Sequence, residues 1–313
     1  MRVFIAGATG AIGKALLPRL LASGHEVWAL ARDMKKAGEA IAMGAQVVLA
    51  DALDPGELTA AVKNARPEVV IHELTALKGV ADFKRFDELF ALTNRFRTEV
   101  TDTLMAAARL VGARRFIAQS YCGWPFERVG SPVKTEDDPL DFHPPAAFRK
   151  SLAAIRYLED AVRGAWDLRA VALRYGALYG PGTGIAKDGN IVALVRDRKI
   201  PIVGNGSGIW SFLHVADAAS ATVRAVVEGD PGIYNVVDDD PAPVASWLPA
   251  LAKTLGAKPP RHVPVWVGRL AIGEGGVSVM TSIRGGSNVK AKRLLGWRPA
   301  HPTWRRGFVS ELG

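Results

Sequence analysis

Arg2-Val3-Phe4-Ile5-Ala6-Gly7-Ala8-Thr9-Gly10-Ala11-Ile12-Gly13 is the stretch that decides the fold. Arg2 to Ala6 reads as a buried strand, and Ala11 to Ser23 reads as a helix stopped by Gly24. His25 to Ala31 supplies a second strand, so the glycines sit in the strand–turn–helix–strand setting that a dinucleotide site requires. Gly7 permits the tight turn, Gly10 lets backbone N–H groups approach a pyrophosphate, and Gly13 lets the helix lie close on the strand. The helix N-terminus adds unpaired N–H groups and partial positive charge, and Ala8, Thr9, Ala11 and Ile12 complete the expected cradle. The bland alternative is a glycine-rich turn that holds no ligand.

Outward from this unit, short apolar runs alternate with helical periods. Strands are expected at Gln46 to Leu49, Val69 to His72, Arg115 to Gln119, Arg169 to Leu173 and Ile233 to Val237. Helices are expected at Leu58 to Asn64, Asn94 to Val111, Ala147 to Arg163 and Val215 to Val227. Such alternation specifies an α/β fold, a Rossmann-type doubly wound parallel sheet. Beyond Gly176 the pattern loosens, with glycine and proline dense at Gly180-Pro181-Gly182 and Gly204 to Gly208, which reads as a small, interwoven C-terminal substrate-binding cap. The expected division gives 1–175 to the nucleotide-binding domain, with 212–237 returning to it, and gives 176–211 and 238–313 to the cap.

Composition narrows the class. At 313 residues, 49% hydrophobic and 23% charged, the chain is globular rather than disordered or fibrous. A single cysteine, Cys122, excludes an internal disulfide and a cysteine-based zinc framework. The histidines lack metal-ligand spacing, so no metal is expected. The net charge of +9 raises nucleic acid as a partner, but the basic residues fall in short scattered groups; a solvated basic surface and no nucleic-acid partner are expected. No stretch reaches the roughly eighteen uncharged apolar residues of a membrane helix, so neither a membrane span nor a membrane partner is expected, and a cytoplasmic location is the working assumption.

Arg32, at the end of the second strand, occupies the place where an NAD-specific fold puts an acidic residue on the ribose. A guanidinium there suits a 2′-phosphate, so NADP(H) is favoured over NAD(H). Asp33 complicates this, since it can reach the ribose or merely pair with Arg32. Asp51, after the third strand, is placed for the adenine amino group, with Ala52 beside it; a capping Asp before Pro55 looks much the same.

With these residues in hand, the chain resembles the extended short-chain dehydrogenase/reductase superfamily, the NAD-dependent epimerase/dehydratases. The resemblance is carried by Gly7 to Gly13, Val70-Ile71-His72, Asn94, Arg115 to Ser120, Leu173 to Gly182, Phe212-Leu213-His214-Val215-Ala216-Asp217 and Leu295-Gly296-Trp297-Arg298-Pro299. It implies a bound NAD(P), with Leu74, Thr75, Asn94 and Tyr175 also along the cofactor, and a cap that selects the substrate. Many relatives dimerise through the helices around Asn94 and Ala147, so a homodimer is implied as well.

One departure matters. The superfamily uses a tyrosine and, four residues later, a lysine on one helix face; the aligned pair here is Ala147 and Ser151. Lys150 is one residue, or about 100° of helix, away. On the fifth strand Tyr121 stands where relatives keep a serine or threonine, and Ser120 is the other local donor. These two are the catalytic candidates, against a bland reading as pocket wall and strand-end hydrogen bonder. Ile209-Trp210-Ser211 replaces the arginine with which sugar-nucleotide relatives grip a diphosphate. Trp124, Phe142 and Trp210, with Phe126, Tyr175 and Trp266, are the candidates for an apolar cleft. The expectation is an NADP(H)-dependent reductase of a hydrophobic carbonyl or enone small molecule. The alternatives are a catalytically silent NADP(H)-binding sensor or scaffold, and a nucleotide-sugar epimerase or dehydratase.

Overall fold

The computed structural model describes residues 1–77 and 82–313. Its centre is a seven-stranded sheet, built from β1 (Arg2–Ala6), β2 (Glu26–Ala31), β3 (Gln46–Leu49), β4 (Val69–His72), β5 (Arg115–Tyr121), β6 (Val171–Tyr175) and β7 (Gly232–Val236). Strand order is β7-β6-β5-β4-β1-β2-β3 and every pairing is parallel. The order reverses between β1 and β4, which is where ligands enter open α/β sheets. The fold is the expected Rossmann type.

Both faces of the sheet are covered, as parallel strands require. Val3, Ile5, Val69, Ile71, Ile117, Val171 and Leu173 pack against α1 (Ala11–Ala22), together with the C-terminal-half helix Val215–Val227. Phe4, Val70, Phe116 and Ala172, from the alternate positions, pack against α2 (Pro55–Ala65), α3 (Thr101–Leu110) and α4 (Arg149–Gly164). A third core, holding Tyr179, Val192, Trp247, Leu251, Trp304 and Phe308, lies outside the seven-stranded sheet.

Several boundaries differ from expectation for physical reasons. β6 begins at Val171 because Arg169 closes a 3-10 turn in the left-handed region, at φ 42°. A helix over Met34–Ala42, not expected, is nucleated by Asp33, whose carboxylate accepts the Lys36 N–H at 2.9 Å. The long helix expected from Asn94 is broken by a π turn over Phe96–Val100, an inserted residue that resets which side chains face inward. No helix among the described residues is long and apolar enough to cross a membrane.

Candidate functional site

Register brings the ends of β1, β4, β5 and β6 to one edge: Ala6 is opposite His72, and Tyr121 is opposite Tyr175. The glycine turn stands at this edge. Gly7 adopts φ 109°, and a Cβ on it would lie 2.6 Å from the Glu73 carbonyl. A Cβ on Gly13 would lie 2.2 Å from the Gly7 carbonyl oxygen, so only glycine lets α1 approach the turn. Gly10 is exposed, no side chain caps it, and no acidic residue occupies the first turn of α1. The Gly10 N–H is taken by the Gly7 carbonyl at 3.0 Å, and with no side-chain cap and no acidic residue in the first turn the helix N-terminus fits a pyrophosphate.

At the adenosine end, Arg32 is 78% exposed and its Nε is 3.6 Å from Asp33 Oδ2. Asp33 caps the following helix by accepting the Lys36 N–H, and that N–H holds its carboxyl below the usual range. Asp51 is also engaged, accepting the Leu53 N–H at 2.9 Å; the cap before Pro55 is Asp54, which takes the N–H groups of Gly56 and Glu57. Ala52 and Leu74 pack on the sheet's α2-side core, and Thr75 is half-buried beyond β4.

Alternation along the strands turns some of the expected site residues away from the glycine turn. Ser120 and Arg174 turn toward α4, where Glu159 accepts from Ser120 Oγ at 2.8 Å and from Arg174 Nε and Nη2 at 2.7 and 2.6 Å. Ser120 is thus a buried hydrogen-bond donor to the Arg174–Glu159 ion pair. Tyr175 is 1% exposed, its ring packed in the core on the α1 side of the sheet. Its hydroxyl lies 2.8 Å from Glu73 Oε1 and 2.6 Å from Thr222 Oγ1, beneath the glycine turn. Burial pushes Glu73 up to about 8, against the hydrogen bond with Tyr175. Sequence reading passed over Glu73, because a carboxylate at a strand end looks like solvated surface.

Where the phenol and ammonium would stand, Ala147 packs at the rim of an aromatic cluster and Ser151 is held by Asp87. Asp87 accepts the backbone N–H groups of Lys150 and Ser151, both at 2.8 Å, and the Ser151 hydroxyl at 2.6 Å. It caps α4 from a distant segment. Lys150 is exposed. Asn94, expected on the cofactor, donates from Nδ2 to Ser151 Oγ at 3.1 Å.

Tyr121 is half-buried, and its hydroxyl makes no hydrogen bond among the described residues. Burial and Cys122 raise its pKa while Arg97 pulls it back, so the phenol stays protonated. Its ring is 6.4 Å from Trp124, which packs on Phe86 and Phe148 at 5.3 and 5.0 Å. Trp210 joins the same cluster, its Nε1 donating to the Val279 carbonyl at 3.1 Å. Phe142 does not belong to this wall. It is 64% exposed, stacks under Arg156, and lines a separate surface pocket of about 400 Å³ with Arg149, on a different face of α4 from Ser151. Phe126 is buried beneath Arg174 and Trp266 is exposed, so neither joins it. The Cys122 thiol is sealed, and burial pushes it up to about 12.

The fold also gathers three residues whose sequence spacing gave no signal. The rings of His214 and His301 stack at 3.8 Å beside Asp217. Asp217 accepts the N–H groups of Ala300 and His301 and lies 3.0 Å from His301 Nδ1, while His214 Nδ1 accepts from the Ala216 N–H. This group ties the C-terminal segment to the helix that starts at Val215.

The NAD dependent epimerase/dehydratase family matches residues 3–236. The chain belongs to that family. It is an NAD(P)-dependent oxidoreductase of the short-chain dehydrogenase/reductase type. The enzyme is 46% identical, over 99% of its own length and 100% of the relative's, to a Streptomyces sp protein called 3-diazoavenalumate denitrifying reductase. It is 28% identical, over 82% of its length and 74% of the relative's, to the 4-hydroxy-2-methyl-3-oxo-4-farnesyl-3,4-dihydroquinoline-1-oxide ketoreductase of Stigmatella aurantiaca. The UDP-glucose 4-epimerase of Thermus thermophilus, solved in complex with NAD, shares the fold with a TM-score of 0.74 at 23% identity, covering 99% of this chain and 97% of that one.

Proposed function

We propose that the enzyme is an NADP(H)-dependent reductase that removes a diazo group from a flat organic acid, leaving a carbon–hydrogen bond. The carrying observation is that Ala147 and a fully engaged Ser151 occupy the helix positions of the usual acid pair, in a chain 46% identical to a diazo-acid reductase. The bound nicotinamide supplies a hydride. Ketone reduction produces an alkoxide that needs a proton, which is the task of a catalytic phenol. A diazonium carbon that gains a hydride loses its C–N bond, releases dinitrogen and is left neutral, so no oxyanion forms and no acid is required.

On this reading the chain's own groups hold and orient. The Gly7 to Gly13 turn and the N-terminus of α1 take the pyrophosphate, and Arg32 takes the 2′-phosphate. Tyr121 and Trp124, backed by Phe86 and Phe148, form a wall that suits a planar apolar body and excludes water. Trp210, whose Nε1 is already bonded to Val279, offers no cation for a sugar-nucleotide diphosphate. The test is NADPH oxidation across matched substrates: an ortho-hydroxyarenediazonium acid, and the ketone and enone of the same skeleton. Preference for the diazo compound by about tenfold or more is expected; oxidation with the ketone or enone alone would overturn the reading.

A second reading keeps carbonyl or enone reduction, with Tyr121 as proton donor. Its support is the unbonded Tyr121 hydroxyl beside Arg97. Tyr121→Phe separates the two readings, because loss of a true general acid lowers carbonyl turnover by roughly 10²- to 10⁴-fold.

A further inference from the structure

We propose that Arg97 anchors the substrate's anionic end, its guanidinium fork gripping a carboxylate at the inner end of the aromatic cleft. The nature of the molecule rests on the reductase reading above; the existence of an anion site does not.

Arg97 is 6% exposed, yet it forms no ion pair among the described residues. Its one side-chain contact with an acceptor is Nη1 to Asn94 Oδ1 at 3.5 Å, while Nε and Nη2 make no hydrogen bond among the described residues. The other buried arginines are served differently: Arg174 holds Glu159 with two nitrogens, and Arg115 donates to the carbonyls of Glu228 and Gly229. Glu159, the acidic group that acts on Arg97, is already consumed by Arg174 and Ser120. Burial lowers Arg97 only to about 10, so it remains a cation near neutral pH. Burying a cation without a counter-ion of its own is costly, and among the described residues only the long Asn94 contact, the Phe90 ring and a Glu159 shared with Arg174 offset that cost.

Its surroundings are those of the reaction cleft. Arg97 lies 6.0 Å from the Phe90 ring, and Tyr121 and His72, at the ends of β5 and β4, feel its charge. His72 is neutral, with Nε2 2.9 Å from the Phe96 carbonyl, so it offers no anion. The π turn over Phe96–Val100 gives Arg97 this inward placement. A planar fork with two unbonded nitrogens, set in an aromatic wall at the carboxyl edge of the sheet, matches a carboxylate on a conjugated body.

The test is binding to the NADP⁺-loaded enzyme, read by quenching of tryptophan fluorescence, with trans-cinnamate, cinnamamide and 4-nitrophenolate as probes. Cinnamate is expected to bind about ten- to a hundredfold more tightly than cinnamamide. Arg97→Met should make the two alike, Arg97→Lys should keep part of the preference, and NADP⁺ affinity should stay the same in both. Equal affinities in the wild type, or a preference that survives in Arg97→Met, would overturn the anchor; the wild-type comparison decides even if the variant fails to fold. Arg97-dependent binding of 4-nitrophenolate, with cinnamate and cinnamamide alike, would overturn the carboxylate in favour of a phenolate. Because no hydride moves in this experiment, a cinnamate preference without diazo turnover removes the proposed reaction and leaves the anchor. Diazo turnover without the preference removes the anchor alone.

Discussion

Glu73→Gln should stabilise the protein, by an amount that depends on pH. The Thr222 hydroxyl gives its proton to the Ala218 carbonyl at 2.8 Å, and the phenol of Tyr175 has one proton for two neighbours, Thr222 and Glu73. A protonated Glu73 supplies the missing one. The carboxyl is buried and its pKa is raised from the ordinary 4.5 to about 8, with burial the dominant cause. Between those values the folded chain keeps a proton that the unfolded chain has released. Stability therefore falls as pH rises through this window and levels off above it. At about 1.4 kcal/mol per pKa unit, Glu73 costs about 3 kcal/mol near pH 7 and about 5 kcal/mol at the top of the window. Glutamine keeps the shape and a donor toward Tyr175 and does not titrate. Urea unfolding of both proteins at a series of pH values measures the difference, and subtraction removes Asp238, which burial also raises to about 8. A wild-type-to-variant difference that stays within about 0.5 kcal/mol from pH 5 to 8 would refute the reasoning.

Arg32→Ser should raise the KM for NADPH by about tenfold or more and leave that for NADH nearly unchanged, since only NADPH carries the 2′-phosphate; equal effects on both would remove Arg32 from cofactor choice. Gly13→Ala, whose Cβ would meet the Gly7 carbonyl oxygen at 2.2 Å, should push α1 off the turn and abolish NADPH binding by calorimetry, and retention of affinity would show that the turn can open. His72 is buried neutral, with burial lowering it from 6.5 to about 4, so the unfolded chain takes up a proton first on acidification. Thermal melts should show stability lost as pH falls through that window, and His72→Asn should lessen the loss; an unaltered acid limb would remove His72 as its source.

The sheet and the cofactor turn were legible because their signals are local. The β1 run forms its strand, and at Gly7 and Gly13 a Cβ would clash with neighbouring backbone. Asp33 was ambiguous as a sequence residue and becomes clear only when a helix starts on it. The inward turn of Ser120 and Tyr175 was not legible, because sequence marks where a strand ends, not which face each side chain takes. Arg97 was missed because a cation in a helical period reads as solvated surface, and the π turn that turns it inward leaves no simple pattern. Asp87 and Ser151, or His214 and His301, meet across long stretches of chain, where spacing is silent.

The most direct test of the central claim is the stoichiometry of gas to oxidised cofactor. With an ortho-hydroxyarenediazonium acid labelled with ¹⁵N, membrane-inlet mass spectrometry should record one labelled dinitrogen for each NADP⁺ formed. NADPH oxidation without dinitrogen, or dinitrogen release at the enzyme-free rate, would contradict it.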